Sequence, residues 1–419
     1  MSASVFTYLF IFILAITILA RCWLAIRQIR AVQGHRNQVP EQFSEAIQLE
    51  AHQKAADYTT AKLRFGFISL AVDTIVLLGF TLFGGIQLVS DILRQYLDNG
   101  MLHQILLAVV LFAISGIISI PFDYYRQFVI EARFGFNKMT VGLFFTDMMK
   151  STLIGAIIGL PVLWVLLLVM DKLGTYWWCY AWILWCGFQF LMLCIYPTFI
   201  APLFNKFKPL EDEALKTRIE QLMQRVGFQS KGLFIMDGSK RSAHGNAYFT
   251  GMGAAKRVVF FDTLINQLTP AEIEAVLGHE LGHFKLRHIT KRILVSFLIS
   301  LGFLALLGWL KTQSWFYAGL GTDPASATDM TALILFAITL PVFTFFLSPI
   351  MSMSSRKHEF EADAFAAQHT NAADLVSALV KMYQDNASTL TPDTLYSAFY
   401  DSHPPASIRI EHLNRLKQP

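Results

Sequence analysis

Two histidines and a glutamate within five consecutive residues form the part of this chain best suited to chemistry, His279-Glu280-Leu281-Gly282-His283. On a helix, residues four positions apart lie one above the other, so both imidazoles can reach one metal ion while Glu280 stays beside it. The preceding Thr269-Pro270-Ala271-Glu272 is typical of a helix start, with an N-cap, a first-turn proline and a capping-box glutamate. The pattern predicts a zinc peptidase site in which His279 and His283 bind one zinc per chain and Glu280 is the general base.

A tetrahedral zinc site that keeps one position open needs a third protein ligand. Glu359 and Asp363 lie further along the chain, four residues apart, so a helix would place them on one face. We predict that Glu359 binds the metal and that Asp363 orients a ligating imidazole through a hydrogen bond. The alternative for this pair is an exposed acidic helix face, which would be favoured if the pair stood alone.

The composition places the chain in a membrane. Hydrophobic residues make up 54% of it and charged residues only 15%, which is unlike a soluble domain of this length. We predict a mainly α, polytopic membrane protein, in which each apolar run is long enough to cross about 30 Å of hydrocarbon. The predicted spans are residues 5–26, 65–89, 102–122, 152–170, 176–200, 293–311 and 331–351.

Basic residues predict the orientation of these spans. Of the 34 lysines and arginines, the proposed outer loops hold only Arg94, Lys172 and Lys311, and basic residues favour the cytoplasmic side. The N-terminus is therefore expected outside or in a lumen, and the C-terminus and both metal motifs on the cytoplasmic side. The membrane would be the inner membrane of a bacterium or the endoplasmic reticulum of a eukaryote. Topology also explains the net charge of +4, so no nucleic-acid partner is predicted.

The domain organisation follows from the spans. A cytoplasmic α+β segment should carry the metal-binding helix, after an amphipathic helix near 210–227 and strands at 232–237, 246–251 and 257–262. An exposed edge of this sheet could bind an extended peptide, although it could equally be a cover for the helix. The predicted units are 1–200 with spans one to five, 201–292 with the α+β segment, 293–353 with spans six and seven, and a C-terminal segment 354–419 that completes the site.

The cysteines and the one aspartate inside the predicted spans are interpreted as structural residues. Cys22, Cys179, Cys186 and Cys194 are predicted to be small buried apolar residues, because they form no CxxC pair and lie apart from the histidines. Asp73 is acidic and well inside a span, so it should face the bundle interior, a water-filled space or a partner.

Taken together, the motifs resemble the type I CAAX prenyl protease family, which consists of integral-membrane zinc metalloproteases. Beyond the metal motif, the matching blocks are residues 131–138, 196–206 and 244–249, then Ser355-Arg356 leading to Glu359 and Asp363, and Asp401-Ser402-His403-Pro404-Pro405 followed by Arg409. The resemblance covers most of the chain. One departure is the short segment between the sixth and seventh spans.

The resemblance implies a fold of seven tilted helices around a water-filled chamber that the zinc site faces. It implies that Glu359 is the zinc glutamate, with Asp363 and Arg409 behind the ligands, and that His403 lies near the reacting carbonyl. It also places Asn246, Ala247 and Tyr248 in a substrate-binding strand. It gives no role to His288 or His358, which are expected to be bystanders.

The predicted activity is that of a zinc metalloendopeptidase cutting near the C-terminus of prenylated CAAX-type or other membrane-tethered proteins. The expected partners are a peptide or protein substrate and the lipid bilayer. One alternative is a quality-control protease for membrane proteins that has no prenyl requirement. An alternative of another class is a transporter or channel in which the histidines form a regulatory metal site, although the spans show no clear internal repeat.

Overall fold

The computed structural model describes residues 1–230, 232–250 and 257–416. Within them, seven helical stretches are long and apolar enough to cross a membrane, in agreement with the number of predicted spans. Counted with the irregular turns that extend them, these stretches are Ala3–Gly34, Leu49–Phe80, Met101–Glu131, Val141–Lys172, Gly174–Phe204, His288–Leu310 and Asp329–His369.

The chain is mainly helical, with one small sheet between the fifth and sixth spans. The membrane part and its connectors contain α1 (Ala3–Gly34), α2 (Leu49–Phe80), α3 (Gly85–Arg94), α4 (Met101–Tyr125), α5 (Val141–Lys172), α6 (Trp177–Ile195) and α7 (Ala201–Phe204). The next segment contains β1 (Phe207–Pro209), α8 (Glu213–Arg225), β2 (Leu233–Met236), β3 (Ala247–Thr250), β4 (Arg257–Phe261), α9 (Asp262–Gln267) and α10 (Pro270–Lys285). The remainder contains α11 (His288–Leu310), α12 (Ser314–Ala318), α13 (Asp329–Thr344), α14 (Ser348–His369), α15 (Ala372–Asp385), α16 (Thr394–Tyr400) and α17 (Ala406–Leu416).

The spanning helices carry large apolar side chains on exposed surfaces as well as in their packed core. Phe12, Ile75 and Phe112 are 62%, 66% and 77% exposed, whereas Phe10 and Leu107 are fully buried where the helices meet. Such extensive apolar exposure is costly in water and is accommodated by lipid. These helices therefore belong to an integral, multi-pass membrane protein.

The predicted second span, residues 65–89, was too long at its C-terminal end. Helix α2 stops at Phe80, and a turn precedes α3. In that turn Gly84 has a φ of +72°, a left-handed conformation that glycine adopts without steric cost. Apolarity continues across this turn, so hydropathy alone extends the span through it.

The seventh predicted span, residues 331–351, lies within a longer helical stretch, Asp329–His369. A 3₁₀ turn, Phe345–Leu347, follows α13, and α14 then continues well beyond residue 351 to His369. Charged residues mark the end of the apolar run, but they do not interrupt the helix. The same helical stretch thus runs from the membrane to the residues predicted to complete the metal site.

The sheet has the strand order β1-β2-β4-β3. Strands β2 and β4 are parallel, while β1 pairs antiparallel with β2, and β3 antiparallel with β4. The three predicted strands are present as β2, β3 and β4, although Gly251, the last residue of the predicted strand 246–251, lies outside the described residues. β1 was not predicted because three residues are too few to show an alternating pattern. The sheet packs with α8 and α10 around buried residues that include Leu222, Phe260 and Leu277.

A cavity of about 760 Å³ lies among α1, α2, α4 and α13. Asp73 lines it together with Arg21 and Arg126, so this exposed aspartate faces a space between the helices that also holds two basic side chains. The four cysteines are free thiols: Cys22, Cys179 and Cys186 are half-buried, but Cys194 is exposed on α6. The prediction that all four are buried was therefore wrong, because a membrane helix can display a cysteine at its surface without exposing it to water.

Candidate metal centre

Helix α10 begins with the capping box predicted from its sequence. The Thr269 amide donates to the Glu272 carboxylate at 2.7 Å, and the Glu272 amide donates to the Thr269 hydroxyl at 3.4 Å. These bonds satisfy two amides that a helix start leaves without partners. The same carboxylate accepts from Lys381 Nζ at 2.8 Å and from Ser377 Oγ at 2.6 Å, so it also joins α10 to α15. The start of α10, the helix predicted to bind the metal, is therefore fixed by both local and tertiary contacts.

Small residues let α10 and α14 pack closely. Gly278 and Gly282 are four residues apart on α10, and they face Ala362 and Ala366, which are four residues apart on α14 and fully buried. Because each glycine precedes a histidine of the motif, the crossing brings both imidazoles to the face of α14 that carries Glu359. The four-residue spacing of the two glycines is visible in the sequence, but the sequence does not show that α14 is the helix that packs against them.

His279 is held by a buried carboxylate. Its Nδ1 is 2.8 Å from Asp363 Oδ1, and Asp363 is completely buried. Arg409, which reaches in from α17, donates to both oxygens of that carboxylate, from Nη2 at 2.6 Å and from Nε at 2.9 Å. A proton on His279 Nδ1 leaves Nε2 with a free lone pair for a metal, which is the arrangement expected of a ligating histidine.

His283 is held by a different partner. Its Nδ1 lies 3.0 Å from Nδ1 of His288, whose Nε2 lies 2.9 Å from a carboxylate oxygen of Glu361. His288 is only 3% exposed, and the ring of His358 stacks on it with a centroid separation of 4.1 Å. The structure thus brings two histidines for which no role was predicted close to His283: the turn after α10 returns His288 to it, and α14 contributes His358.

The metal-binding atoms of three side chains converge between α10 and α14, with Glu359 presenting a different oxygen to each histidine. Nε2 of His279 is 3.1 Å from Nε2 of His283 and 3.4 Å from Glu359 Oε2, and Nε2 of His283 is 3.2 Å from Glu359 Oε1. Tetrahedral zinc with ligand bonds of about 2.0–2.2 Å separates its ligand atoms by about 3.3–3.6 Å. The observed separations are close to these values without any rearrangement of the helices.

The electrostatics of this site also fit a cation. Glu359 is 4% exposed, and among the described residues no hydrogen-bond donor satisfies its buried Oε2, although Arg409 Nη1 lies 3.6 Å away. Burial opposes a charge on His279, but the carboxylates of Asp363 and Glu359 outweigh burial and raise the pKa of His279 to about 9. A position that favours a positive charge, with one carboxylate oxygen unsatisfied, is suited to a metal ion.

Of the two predicted catalytic side chains, His403 lies against this donor set, and Glu280 follows His279 directly in α10. Glu280 is half-buried on α10 and one helical turn before His283. His403 lies in the connection between α16 and α17, with its side chain 61% exposed, and its Nε2 is 3.4 Å from Glu359 Oε1. Its Nδ1 is 3.0 Å from the hydroxyl of Ser402. The imidazole of His403 is therefore beside Glu359, one of the predicted metal ligands, and is exposed on its other side.

The residues predicted to bind substrate lie at one end of the sheet. Ala247 and Tyr248 begin β3, and the carbonyl of Asn246, just before it, accepts a hydrogen bond from the Phe261 amide. In the sheet formed by the described residues, β3 is an end strand, and it packs against α10. Among the described residues no further strand pairs with its outer edge, where the Ala247 amide donates to Oδ1 of Asn246 at 2.8 Å.

Sequence reasoning did not find every residue that supports the donor set. It missed Glu361, and it assigned no role to His288, although His288 follows His283 by five residues. A histidine just after a metal-binding helix is a weak signal, because its direction depends on how the chain turns. It also missed Gly278 and Gly282, for which the four-residue spacing of small residues was an available signal.

Two family models together cover nearly the whole chain. The model described as "CAAX prenyl protease N-terminal, five membrane helices" matches residues 28–206, and the model of peptidase family M48 matches residues 209–417. The second match contains all of the donor residues, and the first contains the second to fifth spans.

Curated relatives and a solved structure match over almost their full length. CAAX prenyl protease 1 of Saccharomyces cerevisiae is 34% identical over 94% of this chain and 92% of its own length, and the Arabidopsis thaliana homologue is 36% identical over 94% and 93%. The Homo sapiens homologue is 32% identical over 94% and 92%. The crystal structure of S. mikatae Ste24p superimposes with a TM-score of 0.89 and 34% identity, covering 97% of this chain and 98% of that one.

Proposed function

This chain belongs to peptidase family M48 and is a multi-pass membrane metallopeptidase related to CAAX prenyl protease 1, and we propose that its metal is one zinc ion held by His279, His283 and Glu359. Two imidazoles and one carboxylate are a typical ligand set for catalytic zinc with an open position. The observation that carries the proposal is the approach of these three side chains from α10 and α14, each pair of which has ligand atoms 3.1–3.4 Å apart.

The side chains around the three proposed ligands can carry out the proton transfers and the oxyanion stabilisation that peptide hydrolysis needs. Zinc, when bound, polarises the peptide carbonyl and increases the acidity of a water molecule. Glu280 takes a proton from the attacking water and later delivers it to the leaving amine. His403 donates a hydrogen bond to the oxyanion that develops on the carbonyl. Asp363 and Arg409 keep His279 oriented throughout.

The substrate backbone pairs with the outer edge of β3, where Asn246, Ala247 and Tyr248 lie. An extended peptide gains main-chain hydrogen bonds in this way and needs few side-chain contacts. This mode fits a peptidase whose selectivity comes from access to the site rather than from a long recognition sequence.

The proposed substrates are prenylated CAAX-type proteins, or other proteins tethered to the membrane, cut near the C-terminus. The names of the relatives support this class. Helix α14 also supports it, since Ser348 lines the membrane cavity and Glu359 is eleven residues further on, about 16 Å along a helix. A lipid group could therefore stay in an apolar environment while the peptide backbone reaches the metal.

The proposed orientation has the N-terminus outside or in a lumen, and the C-terminus and the metal site facing the cytoplasm. It rests on the distribution of lysine and arginine, which leaves only Arg94, Lys172 and Lys311 in the outer loops. In a eukaryote the membrane would be the endoplasmic reticulum, and in a bacterium the inner membrane.

The test compares three substrates of matched sequence and tether: farnesylated, unmodified and misfolded. Purified protein in liposomes should release C-terminal fragments, detected by mass spectrometry, and a zinc chelator should stop the release. Faster hydrolysis of the farnesylated form supports the CAAX-type function, whereas equal rates support a quality-control protease.

Glu280→Gln protein with its zinc intact is the control for this comparison, because it keeps the ligands and lacks the base. Absence of chelator-sensitive hydrolysis of every substrate by the zinc-loaded wild type would contradict the proposed activity.

A further inference from the structure

We propose that His288 is a positioning residue for the metal ligand His283, acting through a hydrogen-bond chain that ends on Glu361. The chain runs from His283 Nδ1 to His288 Nδ1, 3.0 Å, and from His288 Nε2 to a Glu361 carboxylate oxygen, 2.9 Å. The inference rests on the proposed metal site and extends it, since neither His288 nor Glu361 binds the metal.

The direction of the hydrogen bonds follows from the ligand role of His283. If Nε2 of His283 gives its lone pair to the metal, Nδ1 of His283 carries the proton and must donate it. His288 Nδ1 is then the acceptor, so the proton of neutral His288 lies on Nε2 and is donated to Glu361. Each nitrogen in the chain has one role, and a ligating histidine commonly uses its second nitrogen in this way.

The backbone and the neighbouring ring hold His288 in this place. Arg287, between α10 and α11, has a φ of +58°, a left-handed conformation that is costly for a residue other than glycine. It turns the chain so that His288, the first residue of α11, faces back to His283. The ring of His358 stacks on that of His288 with an interplanar angle of 12°, which leaves the His288 imidazole little freedom to rotate.

The two metal-binding histidines therefore have different supports. His279 relies on Asp363, a fully buried carboxylate paired with Arg409. His283 relies on a neutral imidazole whose carboxylate partner, Glu361, is 36% exposed. The carboxylate that supports His283 therefore lies one imidazole further from the proposed metal than the carboxylate that supports His279.

A competing role for the same residues is a second cation site, because donor atoms of His288, His358 and Glu361 also lie within 4.8 Å of one another. In the present arrangement, however, His288 uses both ring nitrogens in hydrogen bonds to His283 and Glu361. A cation could bind here only after one of these bonds is lost. The two roles therefore predict different metal stoichiometries.

The experiment measures metal binding directly, in full-length protein made with Glu280→Gln so that no turnover interferes. Release of zinc to a chromophoric chelator and the visible spectrum of the Co²⁺-substituted protein are recorded. His288→Leu, which removes the acceptor, should weaken metal retention by about 10–100-fold and shift the Co²⁺ bands. His288→Asn, whose carboxamide oxygen lies near the position of Nδ1, should restore most of both.

Two further variants separate the hydrogen-bond chain from packing. Glu361→Leu removes the outer acceptor at a partly exposed position and should loosen the metal less than His288→Leu does. His358→Phe keeps a stacked ring without nitrogen and should retain one zinc with the wild-type release rate. Equal metal loss in the Leu and Asn variants of His288, or wild-type retention in both His288→Leu and Glu361→Leu, would overturn the proposal.

A second bound zinc that disappears in His358→Phe would also overturn it, in favour of a cation site. None of these readings requires hydrolysis of a substrate. A failure of the substrate assay described above would therefore leave this result interpretable.

Discussion

Gly282 lies directly against Ala362: a Cβ placed on Gly282 would be 3.0 Å from the Ala362 Cα and 3.1 Å from its carbonyl oxygen. Both neighbours are backbone atoms, which cannot swing aside as the end of a flexible side chain can. The distance between α10 and α14 at the metal site is therefore set by the missing side chain of a glycine.

We expect Gly282→Ala to move α10 away from α14 and to separate the histidines from Glu359. Overpacking of this kind costs about 1–3 kcal/mol, which exceeds the gain of about 1 kcal/mol in helix propensity. The variant should unfold at a lower temperature and bind less than one zinc per chain, measured by thermal shift and elemental analysis. Gly302→Ala on α11 is the matched control, because a Cβ there has open space around it. Full zinc occupancy in Gly282→Ala would contradict the role of this contact.

Glu280→Gln should bind zinc normally and lose hydrolysis. The carboxamide has nearly the same shape as the carboxylate but cannot accept the proton of the attacking water, and loss of a general base typically costs about 10²–10⁴-fold in rate. The measurements are kcat on a tethered peptide and zinc content, with the exposed Glu220→Gln on α8 as control. Near-normal turnover by zinc-loaded Glu280→Gln would reject the assigned role.

The metal motif could be predicted from the sequence because helical spacing alone fixes the relation between its residues. His279 and His283 must share a helix face at four residues, and the same rule joins Glu359 to Asp363. The contact between these two pairs depends on how α10 and α14 pack. The only indication of it in the sequence was that two histidines leave a zinc site one protein ligand short. Arg409 and His403 came from the resemblance, since a lone arginine or histidine has no local pattern.

The ends of elements were harder to predict, for a different reason. Hydropathy reports the environment of a segment and is insensitive to where the backbone turns, so residues 65–89 were predicted as one span. The adjacent Gly84 and Gly85 were an available signal for the break after Phe80. His288 shows the same limit, because its contact with His283 depends on the left-handed conformation of Arg287.

Asp363→Asn should weaken zinc binding by about 10–100-fold while the protein stays folded. The amide oxygen can still accept from His279, but the negative charge that makes the imidazole a stronger ligand is lost. The measurement is zinc competition with a chelator of known affinity. Glu411→Gln, an exposed carboxylate on α17, should leave zinc affinity unchanged. An affinity for zinc in Asp363→Asn equal to that of the wild type would argue against this support.

Glu272 should make the stability of the protein depend on pH. Burial raises the pKa of its carboxyl, but the hydrogen bonds from Lys381, Ser377 and Thr269 outweigh burial and hold the pKa below its usual range. Because the folded-state pKa is depressed, the stabilisation is fully present above the unfolded value, near pH 4.5, and is lost as the pH falls through the folded value.

The corresponding variant is Glu272→Gln. We expect it to lower the free energy of unfolding by about 1–2 kcal/mol near neutral pH, because it weakens the capping box and the contact with α15. The difference from the wild type should shrink below about pH 4, as thermal unfolding at a series of pH values would show. Glu220→Gln serves again as the exposed control, and a difference that is constant from about pH 7 to pH 3 would count against the charge of Glu272 as its source.

If the substrate pairs with β3, every second backbone amide of the peptide should be needed for binding. Since the Phe261 amide donates to the Asn246 carbonyl, the antiparallel register places the ladder bonds of β3 to β4 at Tyr248 and Thr250, and turns the backbone of Ala247 and Phe249 to the outer edge. A peptide that pairs with this edge must direct alternate amides towards β3. Methylation of single backbone nitrogens along a peptide substrate should therefore raise KM at alternate positions and leave the intervening positions nearly unchanged, in steady-state assays of each methylated peptide. Uniform tolerance of methylation, or an effect confined to the scissile bond, would show that the peptide does not bind as an added strand.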